Sequence, residues 1–127
     1  MLYLLDLFFY WFHICIILLN SFGFIFSKTR RLHFGVIHLT LFSWVVLGYN
    51  YGWGYCFLTD WHYDVLYKLG EAPSPSFIVY LAQRCCGINL GIKTADIGAV
   101  TVLIVALLGA YYFKLKPKPE VKIETDP

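Results

Sequence analysis

The sequence predicts an all-α integral membrane protein with three transmembrane helices and two short interfacial helices on the outer side. Three observations lead there. Hydrophobic residues make up 59% of the 127-residue chain and charged residues only 14%, where soluble domains run nearer ~45–50% and ~25%. Aromatic residues reach 20%, more apolar side chain than a small soluble domain with its large surface share can hide. The few charges leave long neutral runs: 21 residues between Asp6 and Lys28, 28 between Arg31 and Asp60, and 17 between Asp96 and Lys114. A spanning helix needs about 20 mainly apolar residues, and hydrocarbon forces such runs to satisfy their backbone groups internally. This composition argues against a soluble enzyme or a disordered tail. A net charge of +2 is too small to imply nucleic acid as a partner.

The first span is predicted over 6–27. It lacks a basic leader region and an A-x-A cleavage site and is longer than the apolar stretch of a signal peptide, so it is read as retained. The second span, 33–55, follows the short basic loop with Lys28, Arg30 and Arg31. Tyr49, Tyr51, Trp53, Tyr55 and Trp61 cluster where it leaves the membrane, as an interfacial aromatic belt does. Beyond it, Thr59 can cap a helix over about 60–69, with Asp60 in the first turn and Gly70 closing it. Trp61, Val65, Leu66 and Leu69 share one face of that helix. Ser74 and Pro75 can start a second helix over 75–86, which Gly87 stops. Its twelve residues cover about 18 Å, too short to cross, so both helices are expected on the outer leaflet or over the bundle mouth. The third span is predicted over 95–114, completing a membrane domain of residues 1–114. Residues 115–127 alternate Lys with Pro at first and are expected to form a flexible cytoplasmic tail.

Lys and Arg set the orientation. Lys28, Arg30, Arg31, Lys114, Lys116, Lys118 and Lys122 fall on one side of the three spans, and Lys68, Arg84 and Lys93 on the other. Seven against three puts the first loop and the C-terminus in the cytoplasm and the N-terminus and the 56–94 segment outside.

Asp6, His13, Asn20 and Ser27 recur every seven residues along the first span. Two helical turns separate neighbours, so they form one stripe, and polar groups in membrane helices face the bundle interior. Asp6, His13, Asn20 and His38 are therefore the intramembrane polar candidates, either as interhelical hydrogen-bond formers or as a buried polar site. Two histidines on two helices raise the option of haem. Depth opposes it: His13 lies 15 residues from Lys28, about 22 Å, and His38 seven from Arg31, about 10 Å, whereas axial ligands of one iron need nearly equal depth. No cofactor is predicted.

The richest polar cluster spans Cys56 to Asp64, with Cys56, Thr59, Asp60 and His62 at the outer mouth. Its spacing matches no zinc or copper signature, and no metal site is predicted. Cys56, Cys85 and Cys86 all fall on the outer side, where a disulfide from Cys56 to Cys85 or Cys86 would close the outer segment over the bundle. Gly48-x-x-x-Gly52, and Ala95, Ala99, Ala106 and Ala110, have the small-residue spacing that lets membrane helices approach closely, within this bundle or against another protein.

Further residues carry a likeness. His13 in mid-span, Arg30-Arg31, His38 and Trp44 on the second helix, Gly52 before Cys56-x-Leu58-Thr59, then Phe77-Ile78 and Tyr80-Leu81, together resemble the small bacterial membrane proteins grouped as domain of unknown function 2784. The resemblance covers most of residues 5–113, and Cys-x-Leu-Thr after an apolar helix is its most specific part. Phe57 stands where members commonly carry Pro. Thr59-Asp60-Trp61-His62 and the Phe-, Ile-, Tyr- and Lys-rich composition resemble the Bacteroidota form. The likeness implies a membrane protein and carries over no reaction.

Two functions from different classes are expected on these grounds. One is a non-enzymatic accessory subunit of a membrane complex, with lipid and other subunits or further copies as partners, favoured by small size and the lack of a complete catalytic set. The other is a membrane-embedded binding protein or enzyme for a lipid, quinone or haem. It would use His13, Asn20 and His38, with the Cys56–His62 mouth as a gate.

Overall fold

The computed structural model describes residues 1–116, and these are helical without a strand. Five helices follow in order: α1 (Leu2–Phe22), α2 (Arg30–Tyr51), α3 (Phe57–Lys68), α4 (Phe77–Cys86) and α5 (Ile92–Leu115). Helices α1, α2 and α5 have 21, 22 and 24 residues and are apolar enough to cross a membrane. At 1.5 Å per residue each reaches beyond 30 Å, the thickness of a hydrocarbon core. The predicted flexible tail lies almost wholly outside the described residues.

Helix α1 starts four residues before the predicted span and ends five earlier. The displacement has a definite cause. Asp6 does not mark a membrane edge; it is buried, at 4% exposure, inside the protein. At the other end, Gly23 lies close against α2. A Cβ there would stand 2.8 Å from the His33 Cβ and 2.4 Å from the Leu19 carbonyl oxygen. The turn to α2 is tied by side chains: Thr29 Oγ1 donates to the Gly23 and Phe26 carbonyls, and the Arg30 guanidinium donates to those of Phe24 and Ile25.

Helix α2 carries a π-helical stretch at Ser43–Leu47, a widened turn of the kind that often marks functional positions. Its exit is folded back on itself. Ser43, 2% exposed, donates to the Tyr55 carbonyl at 2.9 Å, and the Gly54 N–H reaches the Trp44 carbonyl at 3.4 Å. Gly48 and Gly52 serve this turn and make no helix–helix contact among the described residues. A Cβ on Gly48 would meet the Trp53 Cα at 3.3 Å, and Gly52 ends the helix with φ of +115°. The turn delivers Cys56 to the start of α3.

The helix ends divide by kind. Gly70 and Gly87 close α3 and α4 at positive φ, as predicted; the Glu71 N–H returns to the Leu66 carbonyl and the Ile88 N–H to that of Ala82. The starts differ from expectation. Helix α3 begins at Phe57 after an extended Cys56, with Thr59 already in the first turn, and α4 begins at Phe77 after an extended Ser76. Neither start has a side-chain cap. The buried face of α3 is also rotated: His62, Tyr63, Val65 and Leu66 are buried, while Trp61 is 54% exposed. Burying His62 beside Asp6 decides that rotation.

Helices α3 and α4 pack into the bundle and do not lie apart from it. Helix α4 runs antiparallel to the first half of α1: Phe77 faces His13, Tyr80 faces Tyr10 and Arg84 faces Asp6. The core sits here, built from Tyr10, Tyr63, Leu66, Phe77 and Tyr80 with Ile14, Ile17 and Leu81. Helix α5 leans on α1, α2 and α4 through a small-residue edge: Ala95, Ala106 and Ala110 are its buried residues. A Cβ on Gly109 would stand 2.5 Å from the Phe24 ring. Close backbone approach of this sort is how membrane helices gain packing energy, since apolar burial alone gains little against lipid.

Candidate functional site

The stripe on α1 orients the site. At its N-terminal end Asp6 meets two other elements. Asp6 Oδ1 accepts from His62 Nε2 of α3 at 2.7 Å and from Arg84 Nη1 of α4 at 3.0 Å; Oδ2 accepts from Arg84 Nη2 at 3.0 Å. The fork of the guanidinium therefore closes on the carboxylate with two parallel bonds, the strongest form of this pairing. Arg84 also donates to the Tyr80 hydroxyl and lies over the Tyr10 ring, 4.4 Å from its centroid. The Asp6 carboxylate beside it holds the guanidinium above its already high ordinary pKa, so Arg84 stays charged. A carboxylate this deep needs a counter-charge and filled lone pairs, and Arg84 and His62 supply them.

His62 is fully buried. Its Nε2–H is directed at Asp6, which leaves Nδ1 without a protein partner. Its ring lies among Phe9, Tyr63, Phe77 and Tyr80 at centroid distances of 5.9–6.3 Å. Tyr63 is buried with a hydroxyl that bonds nothing among the described residues, and burial pushes that hydroxyl well above the usual phenol range.

One heptad along α1, His13 is 7% exposed and stacks on Phe77, with ring centroids 3.8 Å apart and planes 10° from parallel. Its Nε2 lies 3.9 Å from Cys56 Sγ, and Nδ1 has no partner. Asn20, a further heptad on, is an interhelical clasp. Its Nδ2 donates to Thr40 Oγ1 at 2.8 Å, and its backbone carbonyl accepts from His33 Nε2 at 3.1 Å.

The predicted residues thus fall into separate groups. Asp6 joins His62, and His13 joins Cys56. Asn20 joins α2. His38 faces the other way: Nδ1 lies 2.6 Å from the Phe34 carbonyl and Nε2 2.8 Å from the Tyr111 hydroxyl of α5. A carbonyl can only accept, so Nδ1 carries the proton and Nε2 accepts from Tyr111. His13 and His38 are not brought to one centre. Thr59 lies inside α3, and Asp60 accepts from the Tyr55 hydroxyl at 2.9 Å instead of facing Asp6. All four cysteines are unbonded. In this structure Cys56 turns inward to His13 while Cys85 and Cys86 are exposed at the end of α4, so the expected pair is not brought together. Among the described residues no three His, Cys, Asp or Glu side chains gather as metal ligands.

Arg84, Tyr80 and Phe77 are missing from the expected site, as is the fully buried His33. The first three had a readable signal. Phe77, Tyr80 and Arg84 step by three and four residues, and Asp6, Tyr10 and His13 step by four and three. Each trio lies on one helical face, and an antiparallel pairing superimposes them.

Fold and cluster together define a three-span helical membrane protein in which a buried Asp6–His62 pair, closed by the partly exposed Arg84, joins three helices. The family model described as Protein of Unknown function (DUF2784) matches residues 3–112, and the chain belongs to that family. No curated protein and no solved structure matches it.

Proposed function

We propose that the protein is an accessory subunit of a larger complex in a bacterial inner membrane, working through its shape and not through catalysis. One observation carries this: Asp6, the buried carboxylate, is fully engaged within the chain. Both its oxygens are taken by Arg84 and His62. A general acid or base must reach a proton on a substrate, whereas this carboxylate meets only its own fold. The cluster is then a clasp that fixes α3 and α4 on α1 and gives the protein one defined face at that end. The excess of Lys and Arg at the opposite end supports a periplasmic N-terminus and a cytoplasmic C-terminus. Extraction from native membranes in mild detergent should recover the chain in an assembly larger than itself with a reproducible second component. A monodisperse monomer would contradict the proposal.

A second reading rests on a different observation. His13 keeps a free Nδ1 while its Nε2 faces the half-buried Cys56 thiol, a polar pair not consumed by the clasp. A membrane-embedded protein that binds a quinone, lipid or haem could use it. That reading predicts a small molecule in mass spectra of the native extract. The molecule should disappear in the volume-conserving His13→Gln, with thermal unfolding checking that the variant stays folded.

A further inference from the structure

The end of the bundle remote from Asp6 holds a cleft of about 350 Å³ between the start of α2, the end of α5 and the turn after α1. Arg30, Arg31, Lys114 and the buried His33 line it, with Phe34 and Phe113 as aromatic walls. The cations are posed by those walls. The Arg30 guanidinium lies 3.8 Å from the Phe113 centroid, and the Lys114 ammonium 4.0 Å from that of Phe34. Arg30 donates two of its five N–H groups to the Phe24 and Ile25 carbonyls, which leaves three to offer. His33 is 0% exposed, with Nε2 directed to the Asn20 carbonyl and Nδ1 without a partner.

Nothing acidic balances this charge among the described residues. No Asp or Glu lies between Asp6 and Asp60, and the last one on α5 is Asp96, about 27 Å along the helix from Lys114. The N-terminus of α2 has no side-chain cap, so its partial positive charge adds to the field. The negative end of α5 is offset by Lys114 in its last turn. Three cations around an uncapped helix start, with no carboxylate beside them among the described residues, make a receptor for a phosphate group. The surroundings choose its source. Leu32, Phe26, Tyr112 and Leu115 beside the cleft are 61–79% exposed at the ends of helices suited to lipid. A ligand with a phosphate head and acyl tails fits both features.

We propose that this cleft binds the phosphate of an anionic phospholipid. The proposal is independent of the accessory-subunit reading, since it uses the opposite end of the molecule. The test uses the full chain in detergent, with phosphatidylglycerol, phosphatidylcholine or inorganic phosphate added, read by native mass spectrometry and thermal unfolding. Phosphatidylglycerol should form a retained one-to-one adduct and raise the unfolding temperature, while phosphatidylcholine and phosphate at equal concentration should not. The exposed-cation pair Arg31→Gln with Lys114→Gln should weaken phosphatidylglycerol binding about tenfold or more, as expected for two lost headgroup cations. Lys68→Gln, at the other end, should leave it unchanged. Equal binding of the two lipids, or undiminished binding by the double variant, would overturn the proposal. Equal protection by inorganic phosphate would overturn the lipid assignment and leave a free-phosphate site.

Discussion

Replacing Arg84 by Gln should destabilise the protein more than any other single change at the clasp. The substitution removes both bonds to Asp6 and the one to Tyr80, and leaves a carboxylate whose side chain is 6% exposed with His62 alone. Breaking a fully buried ion pair from one side costs about 3–5 kcal/mol. The Arg84 side chain is 32% exposed, so part of its charge is already solvated, and a loss of roughly 2–4 kcal/mol is expected. The converse change, Asp6→Asn, strands a guanidinium that can reach solvent, and should cost less, about 1–2 kcal/mol. The asymmetry is itself a prediction: the deeper charge is the costlier one to abandon. In Asp6→Asn with Arg84→Gln no lone charge remains, so the double variant should be more stable than the two single losses imply, with a coupling of at least about 1 kcal/mol. Thermal unfolding of the detergent-solubilised full chain, followed by circular dichroism, measures all three. An Arg84→Gln protein within about 0.5 kcal/mol of the parent, the usual range for surface changes, would refute the reasoning. Additive single losses would refute it equally.

Other outcomes follow from the same structure. Tyr63→Phe removes a buried hydroxyl that bonds nothing among the described residues and should be neutral or stabilising by up to about 1 kcal/mol in the same unfolding measurement. Gly109→Ala drives a Cβ into the Phe24 ring and should cost about 1–3 kcal/mol, whereas Gly98→Ala, with nothing within 4 Å of the new atom, should be neutral or slightly stabilising; equal effects would contradict the close approach of α5 to the turn after α1. Maleimide should label the exposed Cys85 and Cys86 without reductant, and Cys56 only slowly until the protein unfolds. A mass gain on Cys56 that requires reduction would contradict its placement as a free thiol beside His13.

The three spans were legible because lipid imposes a length that charge spacing reveals. Their edges were not, because the charge at Asp6 is cancelled inside the fold and so does not mark an interface. Gly70 and Gly87 were readable as helix stops, since a left-handed residue favours glycine. Thr59 and Ser74 were misleading as starts: a capping side chain can begin a helix, but here extended residues Cys56 and Ser76 do so without one. The seven-residue stripe identified the inward face of α1 and two of its buried groups. It could not name their partners, because Arg84 looks like any outer-side cation until α4 is turned antiparallel to α1. Gly48 and Gly52 had the spacing of a helix contact and instead serve a chain reversal, a distinction only the path of residues 52–56 makes. His33 sits two residues beyond Arg31, where sequence suggests a boundary and the structure shows complete burial.

The central claim is that Arg84 of a short helix is bonded to Asp6 inside a membrane bundle. Solid-state nuclear magnetic resonance on the protein in lipid bilayers tests it, with the Arg84 guanidinium nitrogens and the Asp6 carboxyl carbon isotopically labelled. The two 3.0 Å N···O contacts predict a measurable dipolar coupling from both terminal nitrogens to that carbon. Coupling too weak to detect, with the protein folded, would contradict it.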